Sequence, residues 1–232
     1  MKFRTLLAGA VGAAGTTALV NRVLATRATD FEPFLAGEQG TYRWRGFDVA
    51  YAEAGDPEDQ DLLLLHGISA ASSNHEWGTV FETLAEEYHV IAPDLPGFGH
   101  SDRPPLLYSA STYETFVADA IRDLTDHPPV VVASSLTGAY AAAAVEQVSV
   151  AELVLVSPTT DTMGSRNLAL RTLLRLPLVG QGLFNVIASK PSIRHFHADH
   201  GYADVANLTD EVVDYEWTTA HQPGARYAPA SC

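Results

Sequence analysis

The chain has 232 residues, 47% of them hydrophobic, and its 14 Lys+Arg stand against 28 Asp+Glu for a formal net charge of −14. That length and apolar content support one domain with a large core. An acidic surface whose only lysines are Lys2 and Lys190 repels phosphate backbones and disfavours nucleic-acid binding; it fits a halophilic protein, whose self-repulsion is screened by salt, as well as an ordinary acidic cytoplasmic one.

Lys2 and Arg4 precede an uncharged run from Thr5 to Val20 that ends at Asn21-Arg22. A spanning helix needs about 20 apolar residues, and this run is shorter, carries Gly9, Gly12 and Gly15, and lacks a small-x-small cleavage site before Arg22. Residues 1–28 therefore read as an apolar leader, either membrane-associating through residues 5–20 or packed on the domain as a helix. Residues 29–40, broken by Pro33, Gly37 and Gly40, read as a linker. The folded core is expected over 41–161, starting near Thr41, and a helical cap over 162–232.

Tyr42 to Gly46 and Phe47 to Gly55 alternate and meet at a glycine, which predicts an antiparallel hairpin at a sheet edge. Asp61 to Leu65 is a continuous apolar run, the pattern of a strand buried on both faces. The spacing then predicts a helix over Trp77 to Tyr88, a strand over His89 to Pro93, and a helix over Thr112 to Leu124 with Phe116, Val117, Ala120 and Ile121 on one face. A strand over Val130 to Ala133, a small-residue helix over Thr137 to Val148 and a strand over Glu152 to Ser157 follow. This alternation predicts an α/β fold with a mostly parallel, doubly covered sheet, whose ligand sites lie at the carboxyl ends of the strands. His66-Gly67, Asp94, Ser135 and Ser157 to Asp161 all fall at such ends. Beyond them, Leu168 to Leu178 and Leu183 to Ile187 read as cap helices interrupted by Pro177, Gly180, Gly182 and Pro191, and the remainder to Cys232 is polar and aromatic.

Pro129-Val-Val-Val-Ala-Ser-Ser-Leu-Thr-Gly138 runs a β-branched strand into two serines and a small-residue helix. That pattern predicts a nucleophile elbow, with Ser135 as nucleophile and the Leu136 N–H as one oxyanion donor; a helix N-cap at Ser134, Ser135 or Thr137 is the alternative. Asp94 and His100 read as scaffold of a turn. His195, His197 and His200 stand in a polar stretch without a cysteine or a His-Glu-x-x-His, so no metal is expected. No cofactor is expected either, since Gly97-Phe-Gly99 lacks the third glycine and helix entry of a dinucleotide loop.

Leu-His66-Gly67-Ile68, then Ala92-Pro-Asp94-Leu-Pro-Gly97-Phe-Gly99-His-Ser101-Asp-Arg103-Pro104, then Ala133-Ser-Ser135-Leu-Thr-Gly138 resemble, in order and spacing, the α/β-hydrolase fold superfamily. The middle motif is the most specific, and the resemblance covers residues 41 to 160 well and the cap loosely. It implies a second oxyanion N–H at Ile68, with Ser69 as the alternative. The family's Gly-x-Ser-x-Gly stands here as Ala133-Ser-Ser135-Leu-Thr137, and a serine rather than an aspartate at the elbow points away from the haloalkane dehalogenase and epoxide hydrolase branches. The family's base histidine and usual acid follow later strands for which no apolar run is present after Ser157. Asp161 is the candidate acid, the base is left unassigned among His195, His197, His200 and His221, and the sequence is expected to be truncated at its carboxyl end.

Two functions are carried forward. One is a serine-nucleophile, esterase-like hydrolase acting on an ester or related acyl or C–C bond of a small apolar substrate through an acyl-enzyme, impaired by the missing part. The other is a non-catalytic relative that binds a small ligand. A sheet edge left uncovered predicts self-association.

Overall fold

The computed structural model describes residues 2–28, 31–160 and 168–231, with side chains described from residue 14 onward. Among these, six strands form one sheet: β1 (Glu38–Trp44), β2 (Phe47–Ala54), β3 (Asp61–Leu65), β4 (His89–Pro93), β5 (Val130–Ser134) and β6 (Glu152–Val156), in the order β1-β2-β4-β3-β5-β6. β1 pairs antiparallel with β2 and β2 with β4, while β4, β3, β5 and β6 run parallel. The sheet is thus mixed, and its parallel part carries the continuous apolar runs. Every residue of β3 and β4 is buried, as a strand covered on both faces requires.

The two faces follow the strand period of two. Leu63 and Leu65 enter one core with Val131 and Ala133, closed by Tyr113, Phe116 and Val117 of α3 (Ala110–Leu124) and Leu136 and Tyr140 of α4 (Ser135–Ala144). Leu62 and Leu64 enter the other with Val90, Ala92, Leu35, Trp77 and Phe81. Each buried leucine contributes roughly 1.5–3 kcal/mol relative to an exposed one.

Three elements differ from the sequence expectation. β1 begins at Glu38, whose register partner is Glu53, so the last residues of the expected linker are strand; upstream, Leu35 is buried and Phe31 stacks on His100 at 3.9 Å. The helix expected over Trp77 to Tyr88 is a 3-10 turn (Asn74–Trp77) and a single α turn, α2 (Phe81–Leu84). Polar contacts of Ser73 and His75, described below, fix that first turn, and only Phe81 of α2 is buried. Beyond β6, α5 (Leu168–Arg175) is followed by α6 (Val179–Ile187), which includes Gly180 and Gly182 instead of breaking at them. Gly180 is buried and faces the carbonyls of Leu173 and Leu174, where a Cβ would fall 2.3 Å from an oxygen. α7 (Lys190–Phe196) and α8 (Asp210–Ala220) follow, and α1 (Lys2–Arg27) lies against α6.

Chain connections leave β3 toward β4 and leave β5 toward β6, on opposite sides. The carboxyl ends of β3 and β5, adjacent in the sheet, are therefore the switch point where an open α/β sheet opens a crevice.

The opposite end of the sheet is tied by one ionic knot. His89 Nδ1 meets Asp61 Oδ1 at 2.7 Å and its Nε2 meets Glu53 Oε1 at 2.7 Å, while Asp61 Oδ2 accepts the Asp126 and His127 N–H groups at 3.0 and 3.2 Å. Burial works to lower the His89 value, but the two carboxylates outweigh it and hold His89 above the ordinary imidazole range. A raised folded value means this stability is fully present below about pH 6.5 and is lost as pH rises through the folded value. Thermal melts of wild type and His89→Gln, compared from about pH 5 to about pH 9, should show a wild-type advantage that narrows toward alkali. An advantage independent of pH would refute the ionic knot.

Candidate active site

The β5–α4 junction has the backbone of a sharp elbow. Ser135 adopts φ +52°, in the left-handed region that a non-glycine residue enters at a cost of about 1–3 kcal/mol. Its neighbours hold it there. Gly67, at the end of β3, lies so close that a Cβ on it would fall 3.2 Å from Ser135 Cβ and 3.4 Å from Ser134 Oγ. Ala133 is wholly buried. Thr137, where the family pattern has glycine, is buried and donates from Oγ1 to His66 O at 2.7 Å, so the larger side chain latches the elbow to the β3 loop. The Thr159 N–H, beyond β6, reaches Ser135 O at 3.3 Å.

Ser134 occupies the N-cap of α4 without a side-chain capping bond, and Thr137 is committed to His66, so capping does not account for the two serines. Ser135 is partly exposed. Among the described residues neither the Leu136 nor the Ile68 N–H makes a hydrogen bond. The first N–H groups of a helix, Leu136 among them, carry partial positive charge. The Gly67 N–H is instead occupied by Glu76 Oε2 at 2.7 Å, and Ser69 uses Oγ on the Ala71 N–H and Ser72 Oγ.

His66 and Asp94 shape this end of the sheet. His66 is wholly buried; its Nε2 accepts the Leu95 N–H at 2.9 Å, which places the ring proton on Nδ1, 2.7 Å from Gly67 O. Burial holds its value below the ordinary imidazole range, consistent with a neutral ring in both roles. Asp94 accepts the N–H groups of Asn74 and His100, each at 2.7 Å. Burial works to raise its carboxyl, but the His100 bonds, His66 and Asn74 outweigh that and hold it below the ordinary range. Gly99, at φ +49°, packs directly on that carboxylate: a Cβ there would fall 1.9 Å from Asp94 Cγ. Asp94 and His100 are scaffold, as the sequence pattern suggests.

A second polar network is not legible in the sequence. Glu216 on α8 takes His75 Nε2 at 3.0 Å and His197 Nε2 at 2.8 Å on the same Oε1 atom, and Ser73 Oγ meets His75 Nδ1 at 2.7 Å. An ionised Glu216 can accept from both rings at that oxygen. Burial works to raise its carboxyl, but His197 and His75 outweigh it and hold it below the ordinary range. The two histidines stand 122 residues apart in sequence, so no local spacing announces their meeting.

The four candidate bases are placed elsewhere. The His195 side chain is 79% exposed beside Asp199, His197 is held by Glu216, His200 is exposed and stacks on Phe196, and His221 is buried on Trp217, its Nδ1 2.7 Å from Trp217 O. None shares a hydrogen bond with Ser135 among the described residues. Asp161 lies outside the described residues. Among the described residues no group of three His, Cys, Asp or Glu has the geometry of a metal site. Clefts of ≈ 270 Å³, at the foot of β5, and ≈ 330 Å³, beside Trp44 and Tyr108, do not include Ser135 in their walls.

With this geometry in hand, the comparisons with known proteins are specific. A family model described as "Alpha/beta hydrolase family" matches residues 62–231. The chain belongs to the α/β-hydrolase family. An uncharacterized protein of Mycobacterium tuberculosis is 38% identical over 133 residues, 51% of this chain and 38% of that protein. A soluble epoxide hydrolase of a Corynebacterium species is 38% identical over 82 residues, 35% of this chain and 26% of that enzyme. Among solved structures, a serine hydrolase involved in carbazole degradation superposes with a TM-score of 0.65 at 22% identity, covering 84% of this chain and 69% of the other; at that identity the likeness is one of fold. The match to the mycobacterial protein spans well under two thirds of its length.

Two outcomes test the scaffold. Asp94→Asn replaces an oxygen acceptor of two backbone N–H groups by a donor and should cost about 1.5–3 kcal/mol in chemical denaturation; an unchanged midpoint would remove Asp94 from its place. A depressed folded value for Glu216 means that its contribution is present above about pH 4.5 and lost as pH falls through the folded value. The thermal midpoint of Glu216→Gln should therefore fall less steeply than that of wild type on acidification below about pH 4.5, and equal slopes would dismiss the pairing.

Proposed function

We propose that this member of the α/β-hydrolase family is a serine hydrolase that cleaves an ester, or a related acyl or C–C bond, of a small apolar substrate. Ser135 attacks the carbonyl carbon as its hydroxyl proton passes to a general base, which later returns it to the departing group, and the electron pair displaced onto oxygen is held by the N–H groups of Leu136 and Ile68. Collapse of the tetrahedral intermediate expels the leaving group and leaves an acyl-enzyme, which water hydrolyses. The observation that supports this reading is the left-handed backbone at Ser135, at a junction where the Leu136 and Ile68 N–H groups make no hydrogen bond among the described residues. Removing one such donor typically costs about 3–4 kcal/mol in the barrier. The serine at the elbow favours acyl chemistry over the reactions of the epoxide hydrolase and haloalkane dehalogenase relatives. The general base is not assigned to any described histidine, and Asp161 is retained as the candidate acid.

A fluorophosphonate probe distinguishes this from a ligand-binding relative without chemistry. Wild type and Ser134→Ala should be labelled, and Ser135→Ala should not. A folded wild type that resists labelling, or labelling that persists in Ser135→Ala, would overturn the assignment.

Self-association belongs to the same proposal. Val154, Leu155 and Val156 of the edge strand β6 are 38%, 39% and 41% exposed, and an apolar strand with free backbone groups on one side is a template for pairing. Leu155→Lys should shift sedimentation toward the monomer; an unchanged profile would remove β6 from the interface.

A further inference from the structure

Charge is segregated along this chain in a way the hydrolase reading does not use. Residues 1–29 and 162–198 hold nine of the 14 Lys+Arg and none of the 28 Asp+Glu. All 28 acids fall in the remaining residues, against five bases. The fold brings the two basic stretches together. Asn21 of α1 donates from Nδ2 to Leu178 O at 3.0 Å and accepts at Oδ1 from Asn185 Nδ2 at 2.9 Å. Gly182 of α6 lies over Thr17, where a Cβ would come within 3.1 Å of its methyl carbon.

Both helices of the seam carry exposed apolar side chains. On α1, Leu19 and Val20 are 63% and 49% exposed, and on α6, Val179 and Val186 are 55% and 68% exposed. Val179 and Val186 stand seven residues apart, about two helical turns, on the stripe that carries Gly182 at the seam. α5, packed on α6, adds exposed Leu173, and the turn that follows it adds exposed Leu176.

Some cations here are already engaged. Lys190 and Arg194 pair with Asp214 and Asp210 of α8, and Arg175 donates to the carbonyls of Pro105, Leu106 and Tyr227. Arg22, Arg27 and Arg171 make no ion pair among the described residues. Free arginines beside exposed valines and leucines match a surface that is negative outside and apolar beneath, which is an anionic bilayer. Among the described residues no helix is long and apolar enough to cross a membrane, so the match is to a surface lying on the bilayer rather than a span. The acidic remainder of the molecule would be repelled, which selects one orientation.

We infer that α1 and the cap helices α5 and α6 form a docking face for an anionic lipid bilayer, with Val179 and Val186 entering the headgroup boundary and Arg22, Arg27 and Arg171 meeting lipid phosphates. The inference stands on the seam between α1 and α6 and is independent of the chemistry at Ser135.

Cosedimentation of the whole chain with vesicles tests it, in about 0.1 M salt, where charges interact over about 10 Å. Vesicles of phosphatidylcholine and phosphatidylglycerol should bind the protein and vesicles of phosphatidylcholine alone should not. Replacing Arg22, Arg27 and Arg171 together by Gln should weaken partition on the order of a hundredfold, and Val179→Asp with Val186→Asp should abolish it, with circular dichroism showing both variants folded. Equal binding to the two vesicle types, or wild-type partition by the arginine variant, would overturn the inference. A folded wild type that ignores anionic vesicles would also overturn it. So would a dimer that Val186→Asp dissociates without any vesicle binding, which would assign this face to a second copy.

Discussion

The end of the sheet at the β3 and β5 carboxyl termini depends on keeping one serine in a backbone conformation it would not adopt alone. Ser135 at φ +52° is strained by an amount comparable to a few hydrogen bonds, and the surrounding contacts offset that strain. Absence of a side chain at Gly67 makes room, the Thr137 hydroxyl fastens α4 to the β3 loop, and the Thr159 N–H fastens the segment after β6. Because β3 and β5 pair in register from Leu62 and Val130 to Leu65 and Ala133, the two loops emerge side by side. The knot of His89, Asp61 and Glu53 at the far end of the sheet keeps that register from slipping. Relaxing Ser135 would therefore require moving the sheet, not merely rotating one residue.

Buried charge performs the next task, which is to shape loops that have no regular structure of their own. Taking a carboxylate out of water costs several kcal/mol unless directional donors replace the lost hydration. Asp94 obtains two backbone N–H groups and in return fixes both the 97–101 turn and the entry to the 3-10 turn at Asn74. Glu216 obtains two imidazole donors and joins α8, the segment after α7 and that same 3-10 turn. The neighbouring Glu76 then holds the Gly67 N–H. The α7–α8 region and the loop after β3 are thus linked through one short turn by charge-assisted bonds, which are stronger and more directional than neutral ones.

The parallel strands were legible because their burial on both faces writes a continuous apolar run, as in Leu62 to Leu65. The elbow was legible because its geometry demands small residues at fixed spacing around Ser135. What sequence left unread shares a physical reason. The helix expected from Trp77 was drawn from the spacing of Val80, Phe81 and Leu84, but that period covers a single turn, and the segment answers to Ser73, His75 and Glu216 instead. Gly180 and Gly182 looked like breaks because local propensity ranks glycine low in helices, whereas close approach to the α5 carbonyls at Gly180, and to Thr17 at Gly182, uses the missing side chain. The network at Glu216 joins residues 75, 197 and 216, and no one-dimensional window contains it.

Two serines of this chain illustrate why connectivity and reactivity are separate matters. Ser73, His75 and Glu216 are joined as nucleophile, base and acid would be, with the hydroxyl at 2.7 Å from one ring nitrogen and the carboxylate at 3.0 Å from the other. Yet Ser73 is wholly buried, its oxygen also accepts the His75 N–H as a helix cap at 3.4 Å, and a hydroxyl that no substrate carbonyl can approach gains nothing from a base. Ser135 has the complementary set: partial exposure, a strained turn and two free donors, with no described histidine bonded to it. Geometry around the reacting carbon, rather than the presence of a relay, is what distinguishes a site from a strut. On that ground the polar network at Glu216 is a brace for the loop after β3, and the place where chemistry is proposed is the elbow.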